Sequence, residues 1–469
     1  MLKTIMKNLI ASDSRNLIVG AGATGLSVAR HFEKLGCAYD VYDTRENRAI
    51  AEPFYALNTS TLVQVGDYDT SLLQGVHRIV LSPGVSRSTP IVLDALERGI
   101  SVVSDITIFL EAANAPVVGI TGTNGKSTVT TIVGLVAEAA KVRVAVGGNL
   151  GTPALDLLDE EVELYILELS SFQLESTDNA NLAVAVHLNL SQDHLDRHGS
   201  FQRYFQAKQK IFFGAKKVVY NLDDPLTKPP IVEGVARFGF GCSMSQEKNE
   251  IQYTLNESTG DLLRERKLIL NRGDIRIKGR HNLENVLAVL AITEALGLDA
   301  SFVALTVKDF AGLPHRCEVV DIGNGLTYIN DSKATNVGAA VSALEGCSID
   351  FDSIVLIAGG VGKEQNFSDL GRALEDCGAS AVLFGQDAEI INASIPDSVS
   401  VTFASSLHDA IKKATTQLLD KSILLDKNKT NKDVRRLVLF SPACASFDMF
   451  ANFEARGDAF RRAVRECAA

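Results

Sequence analysis

The stretch Val117-Val118-Gly119-Ile120-Thr121-Gly122-Thr123-Asn124-Gly125-Lys126-Ser127-Thr128 decides how this chain is read. Its apolar run predicts a strand, and the residues after Lys126 have helical spacing. A strand passing through a glycine-rich turn into a helix N-terminus makes an anion site. Backbone N–H groups converge there, the helix dipole adds positive potential, and Gly122 and Gly125 let the backbone close on phosphate oxygens. Thr123 and Asn124 complete the loop. Lys126 is placed to reach β/γ-phosphates, and the hydroxyl of Ser127 or Thr128 to hold Mg²⁺. Only two residues separate Gly122 from Gly125, so the loop is a shortened relative of the usual P-loop. The alternative, a tight turn without a ligand, leaves the coincidence of Gly, Gly, Lys and Ser/Thr unexplained.

Before this stretch, residues 16 to about 104 alternate strands and helices. A strand from Asn16 enters Gly20-Ala21-Gly22-Ala23-Thr24-Gly25, a helix follows to about Leu35, and the next strand ends at Asp43. This is a G-x-G-x-x-G turn with an acid about 20 residues on, a weak signal for a pyrophosphate-bearing ligand. A strand over Ile79–Leu81 ends at Ser82-Pro83-Gly84. That loop either faces the same crevice or is a plain turn.

The middle block carries apolar runs at Pro116–Ile120, Val142–Val146, Leu164–Leu169, Leu182–Leu190, Lys217–Tyr220 and Val235–Phe238. Polar residues follow the first five: the phosphate loop, Gly147-Gly148-Asn149, Glu168 with Ser170, Ser191 to His198, and Asn221 with Asp223 and Asp224. In an open parallel sheet ligands lie outside the carboxyl ends of the strands, so these residues converge although scattered in sequence. Glu168 and His194 are a carboxylate and an imidazole suited to a divalent metal, although a lone His near a strand end is more often structural. Residues 241–278 read as small antiparallel strands or hairpins. Gly279-Arg280-His281-Asn282 opens a helix running to Leu296, and Asn282 is a candidate cap of its start.

From Leu313 onward, strands are predicted at Glu318–Asp321, Leu326–Asn330, Ile354–Ala358, Ala379–Phe384, Val399–Phe403 and Leu437–Phe440. Polar loops again follow strands. Arg316, Lys333 and Lys363 are either surface charges or anion-binding groups; the Gly- and Ser/Thr-rich turns around both lysines favour the second. A phosphate loop in one domain and cationic loops in another imply a reaction in a cleft. The lysine- and asparagine-rich run Asp426 to Asp433 reads as a solvated loop.

The fold class is therefore α/β with three domains. They are a Rossmann-like N-terminal domain (1–104), a central P-loop-type parallel-sheet ATPase domain (105–312) and a C-terminal Rossmann-like domain (313–469). A length of 469 residues and an apolar fraction of 46% suffice for three cores. The net charge of −11 argues against a general nucleic-acid binder. Seven scattered cysteines without a CxxC pair indicate reduced thiols. Met1 to Ile10 lacks the features of a signal peptide, and no run is long enough for a membrane span. A cytoplasmic protein without membrane insertion is expected.

The residues then match a known family. The chain resembles the Mur ligases of bacterial cell-wall synthesis over nearly its whole length. Thr121–Thr128 resembles the family ATP loop. Glu168–Leu174 and Asp193–Arg197 are similar to its metal and substrate segments, and Gly312–Arg316 and Asn330–Asn336 to its nucleotide-side loops. Ser441–Asp448 with Asn452–Gly457 looks like the D-glutamate-adding member. The resemblance implies that ATP phosphorylates the carboxylate of UDP-N-acetylmuramoyl-L-alanine and that the amine of D-glutamate attacks the acyl phosphate.

It also implies roles. Lys126 contacts the terminal phosphates, and Ser127 and Glu168 bind Mg²⁺. His194 resembles the ligand of a second Mg²⁺. Lys208 matches a lysine carbamylated in the family, which would make it an anionic metal ligand; otherwise it is an exposed helix lysine. Asn149 lies near the reacting centre. Asn282, Arg316 and Asp331 fall on nucleotide-contacting positions, and Lys333 near the transferring phosphate. Thr335, Lys363, Ser446 and Phe447 match the D-glutamate pocket, which Phe453 either walls or supports as a core aromatic. Gly22, Ala23, Thr24, Asp43, Thr44, Arg45, Ser82 and Gly84 would hold the uridine diphosphate. A monomer is expected.

Overall fold

The computed structural model describes residues 15–468 apart from 231–233, 246–249, 278, 324 and 421–433. The readings made on Met1–Ile10 and Asp426–Asp433 lie outside the described residues. Three sheets organise the chain, and each places a crevice at the carboxyl ends of its strands.

The first sheet is five-stranded and parallel. Its order is Val63–Val65, Tyr39–Asp43, Arg15–Val19, Val76–Leu81, Ser101–Ser104. The order reverses beside Arg15–Val19, so a crevice opens between that strand and Val76–Leu81. The glycine turn sits there because the helix Ala23–Leu35 starts almost on top of it. A Cβ on Gly25 would lie 2.1 Å from the Gly20 carbonyl oxygen. Asp43 fastens the turn, accepting the Ala21 N–H at 2.7 Å and the Arg45 N–H at 2.9 Å.

The second sheet has nine strands. Val144–Gly148, Leu164–Glu168, Val117–Thr121, Val184–His187, Lys217–Asn221, Ala236–Gly241 and Glu250–Leu255 run parallel in that order. Leu262–Arg264 and Lys267–Leu270 complete it as antiparallel edge strands. The expectation of a wholly antiparallel segment over 241–278 is thus corrected: Glu250–Leu255 extends the parallel sheet, and only the hairpins after it reverse. Strand alternation sorts the core. Val118 and Ile120 join the cluster under the helices Lys126–Ala139 and Arg280–Ala295. Tyr165 and Leu167 join the opposite cluster, which also holds Ile18, Val28 and Phe32 of the first sheet layer. The first two domains therefore share a core.

Asp105 lies at that shared core. It begins the helix Asp105–Ala112, which Ser104 caps by accepting the Thr107 N–H. Its Oδ2 accepts the Gln173 amide at 3.3 Å, while Oδ1 has no partner among the described residues. Burial raises its pKa to about 6. The native state thus holds a proton that the unfolded chain, near 3.9, has lost. Stability from this group is present below pH 4 and lost as pH rises to 6. Asp105→Asn should therefore raise the melting temperature relative to the parent at pH 8 and leave it nearly unchanged at pH 4, as thermal unfolding at both pH values would read.

The third sheet has six strands. Glu318–Gly323 is an antiparallel edge. Leu326–Asn330, Arg436–Phe440, Ser353–Ala358, Ser380–Leu383 and Val401–Phe403 follow in parallel. The last strand in sequence enters the middle, so its loop Ser441–Asp448 meets the loops after Asn330 and Ala358. Among the described residues no helix is long and apolar enough to cross a membrane. The six described cysteines are unbonded.

Candidate active site

The phosphate loop folds as the sequence predicts. Gly125 is the N-cap of the helix Lys126–Ala139 at φ 79°, and a Cβ there would lie 2.4 Å from Asn285 Oδ1. Both the left-handed backbone and the close approach require glycine. Asn189 clamps the loop by accepting the Asn124 N–H at 2.8 Å and donating to its carbonyl at 3.1 Å. The Thr123 hydroxyl meets the Tyr204 hydroxyl at 2.9 Å.

Lys126 Nζ folds back and donates to the carbonyls of Gly122 and Thr123, both at 2.8 Å. Burial lowers its pKa, opposed by the charges of Glu168 and Asp193. Lys208 lies behind the same loop, donating to Gly122 O at 2.7 Å and Thr121 Oγ1 at 3.3 Å. It is fully buried, so the exposed-lysine alternative is corrected. Burial and then Lys126 push its pKa well below the usual lysine range. The amine donates here; carbamylation would turn it into an anionic oxygen donor.

Ser127 Oγ donates to Glu168 Oε2 at 2.5 Å, and the Asn149 amide donates to Oε1 at 2.7 Å. Burial pushes the Glu168 carboxyl up, but Lys126, Ser127 and Asn149 outweigh it and hold the pKa below its ordinary value. An ionised carboxylate touching a hydroxyl beside a phosphate loop is a hard-oxygen donor set, which fits Mg²⁺. Thr128 is buried in the helix and lines no part of the cavity, so the hydroxyl facing Glu168 is that of Ser127. Burial lowers the His194 pKa to about 4, leaving a neutral imidazole, the ligating form. Among the described residues no three His, Cys, Asp or Glu form a metal cage.

The C-terminal domain closes the far side. Arg316 Nη2 donates to Ser127 Oγ at 2.6 Å, reaching from the third domain into the second. Lys333 Nζ lies 3.9 Å from the centre of the Phe453 ring. Burial, then Arg316 and Lys126, lower its pKa to about 8. Asp331 accepts the Ser441 hydroxyl at 2.8 Å and the Cys317 N–H at 3.1 Å, and burial raises its pKa to about 7. Asn124, Lys126, Asn149, Glu168, Asn282 and Thr335 share one cavity of about 620 Å³ with Arg316, Asp331 and Lys333. Arg316 and Lys333 thus line the cavity, and Lys363 lies 3.6 Å from the buried Asp193 carboxylate, so none of the three is a free surface charge. Asn282 is not the helix cap; Gly279 is, and Asn282 lies inside the first turn, accepting from Asn285 at 3.3 Å.

Ser446 is buried while Phe447 stands 72% exposed. Neither lines the 620 Å³ cavity, and nor do Lys363 and Phe453. The first-domain residues form a separate group at their own crevice. Ser82 Oγ donates to Gly20 O at 2.8 Å, and Arg45 pairs with Asp43 at 2.8 Å. Gly22, Ala23, Thr24, Thr44 and Gly84 flank that turn. Arg197 joins this crevice to the second domain, donating to Val85 O at 3.0 Å and Glu175 at 3.1 Å.

Sequence reasoning gave no role to Asn189, Tyr204, Asn285, Asn336 or Arg456. Asn189 was hidden inside the apolar run Leu182–Leu190, whose strand ends at His187. Arg456 lies in a helical stretch with nothing in its spacing to separate it from a surface arginine.

A short phosphate loop facing an ionised carboxylate, with cations delivered from another domain, is the architecture of an ATP-dependent ligase. Three family models match: a Mur ligase MurD-like N-terminal domain over 14–104, a Mur ligase middle domain over 120–293, and a Mur ligase glutamate ligase domain over 315–429. The UDP-N-acetylmuramoylalanine--D-glutamate ligase of Saccharophagus degradans is 49% identical, covering 99% of this chain and 100% of its own length. That of Teredinibacter turnerae is 46% identical, covering 98% and 99%. Among solved structures, a pseudomurein peptide ligase type C from Methanothermus fervidus matches with a TM-score of 0.59 at 19% identity, covering 97% of this chain and 100% of its own. MurF ligase from Thermotoga maritima in complex with ADP matches at 0.58 and 16%, covering 98% and 97%. These two share the fold. The chain belongs to the Mur ligase family, whose members form amide bonds at the expense of ATP in peptidoglycan precursor synthesis.

Proposed function

We propose that the chain joins D-glutamate to UDP-N-acetylmuramoyl-L-alanine through an acyl phosphate, releasing ADP and phosphate. The observation that carries this is the single cavity where Lys126 and Glu168 of one domain face Arg316 and Lys333 of another. The names of the full-length relatives support the choice of substrates.

A carboxylate is a poor electrophile, and moving a phosphoryl group onto it brings two anions together. The reaction needs neutralised charge and in-line placement. Lys126 and Lys333 supply cations on either side of the transferring group, and Arg316, Asp331 and Asn282 hold the nucleotide. Ser127 and Glu168 would hold Mg²⁺, with His194 and a carbamylated Lys208 at a second ion. Bound there, the metal supplies charge neutralisation between the phosphates and the acid. Asn149 orients the Glu168 carboxylate. Lys363, Thr335, Ser446 and Phe447 take the amino acid, and Phe453 supports Lys333 from beneath. The turn at Gly22, with Thr24, Asp43, Thr44, Arg45, Ser82 and Gly84, takes the uridine diphosphate. Residues 1–104, 105–312 and 313–469 thus serve the sugar nucleotide, ATP and the amino acid. The protein acts as a monomer in the cytoplasm.

The test is phosphate release with ATP, Mg²⁺, UDP-N-acetylmuramoyl-L-alanine and D-glutamate, omitting each in turn. Sustained release is expected only with all four. Turnover with L-glutamate or meso-diaminopimelate in place of D-glutamate would overturn the assignment.

A further inference from the structure

Asp193 is buried at the wall of the cleft, and its carboxylate is held from both domains. The His194 N–H donates to Oδ1 at 2.9 Å. Asn336 of the C-terminal domain donates to Oδ2 at 3.1 Å. Lys363 Nζ, also of that domain, lies 3.6 Å from Oδ1. The His194 ring, 3.5 Å away, belongs to the central domain, as Asp193 does. The cation reaching Asp193 from the C-terminal domain is Lys363.

The backbone holds this meeting deliberately. Lys363 and Glu364 are consecutive non-glycine residues at φ 52° and 60°, and His194 opposite them has φ 53°. Such conformations persist only where the surroundings impose them. Gln365 imposes one, its amide donating to Gly362 O at 2.8 Å and its oxygen accepting the Val337 N–H at 2.9 Å.

This inference rests on the reading of Lys363 as the partner of the incoming amino acid's carboxylate. If Lys363 turns to that carboxylate, Asp193 is left as a buried anion without its cation, a costly state unless another takes the place. An amino acid brings that cation with it, as its ammonium group. We propose that the amino acid inserts as a zwitterion into the Lys363–Asp193 ion pair. Its carboxylate takes Lys363 and its ammonium takes Asp193. One ion pair becomes two; the ammonium and one carboxylate cancel, while the second carboxylate of D-glutamate brings one further negative charge, and Asp193 becomes a binding residue that aims the amine from the central-domain side, where Asn149 and Lys126 line the same cavity as Asp193.

The experiment compares D-glutamate with glutarate, which lacks the amine, on the full-length protein and on Asp193→Asn. Asparagine keeps the size and the ability to accept from Asn336. KM for D-glutamate should rise about tenfold or more, the effect of losing one charge-assisted contact, with KM for ATP unchanged. The inhibition constant of glutarate should stay the same or fall, because Lys363 is no longer engaged by an anion. An unchanged KM for D-glutamate, or equal weakening of both compounds, would overturn the proposal, the second by showing a merely structural role. Trapping of acyl phosphate by borohydride, in the parent protein without any amino acid, reads the proposed function separately. If the parent protein itself forms no acyl phosphate from ATP and the sugar-nucleotide acid, the proposed function fails instead, and the two failures stay distinct.

Discussion

Lys126→Ala is expected to lower the rate of phosphate release by ~10²–10³-fold at saturating substrates, with little change in melting temperature. The asymmetry follows from what the ammonium touches. It donates to two carbonyls of its own loop, Gly122 O and Thr123 O, and makes no ion pair among the described residues. Gly122 O also accepts from Lys208 at 2.7 Å, so it is not orphaned when Lys126 is shortened. The loop itself is held by Asn189 and by Gly125 at the helix start, neither of which needs the lysine. On the proposed function, the transition state does need it. Charge spreads over the transferring phosphoryl group, and a preorganised cation in a water-poor cavity stabilises that charge more than it stabilises the ground state. The measurement is steady-state phosphate release beside thermal unfolding. Full turnover in the variant would remove the phosphate-loop assignment.

Arg456→Ala should act on both stability and turnover. The guanidinium is almost wholly buried in the helix Phe453–Ala468, and among the described residues its recorded hydrogen bonds go to carbonyls and a hydroxyl. It donates to Ser332 O at 2.8 Å, Ser332 Oγ at 3.1 Å and Cys444 O at 3.0 Å. Burial lowers its pKa to about 10, so it stays charged at neutral pH. Truncation leaves two carbonyls without this donor and a cavity under Phe440, together roughly 3–5 kcal/mol. It also unties the loop of Lys333 from the loop of Ser446, since Ser332 and Cys444 adjoin them in sequence. Denaturant unfolding should show a lower midpoint with an unchanged slope, and KM for the amino acid should rise. A midpoint equal to that of the parent would contradict this account.

The fold was largely legible because parallel strands buried on both faces read as unbroken apolar runs. Leu326–Asn330 is found as predicted, and Leu437–Phe440 and Ile354–Ala358 shift by one residue. Short edge strands such as Val63–Val65 were not, since three half-buried residues give no period. Strand order was out of reach as well. Arg436–Phe440 enters the middle of its sheet although last in sequence. The phosphate loop was legible because its function is made by backbone geometry that only glycine permits. The clamps around it were not, because Asn189, Tyr204 and Arg456 act through contacts between segments far apart in the chain. Asn282 misled for a local reason: Gly279 already supplies the unusual backbone at that helix start, and the asparagine lies within the first turn.

The Arg316–Ser127 contact has a consequence for how the molecule can be divided. Each sheet has its own apolar layers, so the chain looks separable after residue 312. The cavity is not separable: its glycine loop belongs to one part and the Arg316 guanidinium to the other. Cutting there would leave a middle fragment with an intact glycine loop and one wall missing. On the proposed function, ATP is a tenon between two timbers, and whatever loosens the joint weakens the hold on the fuel.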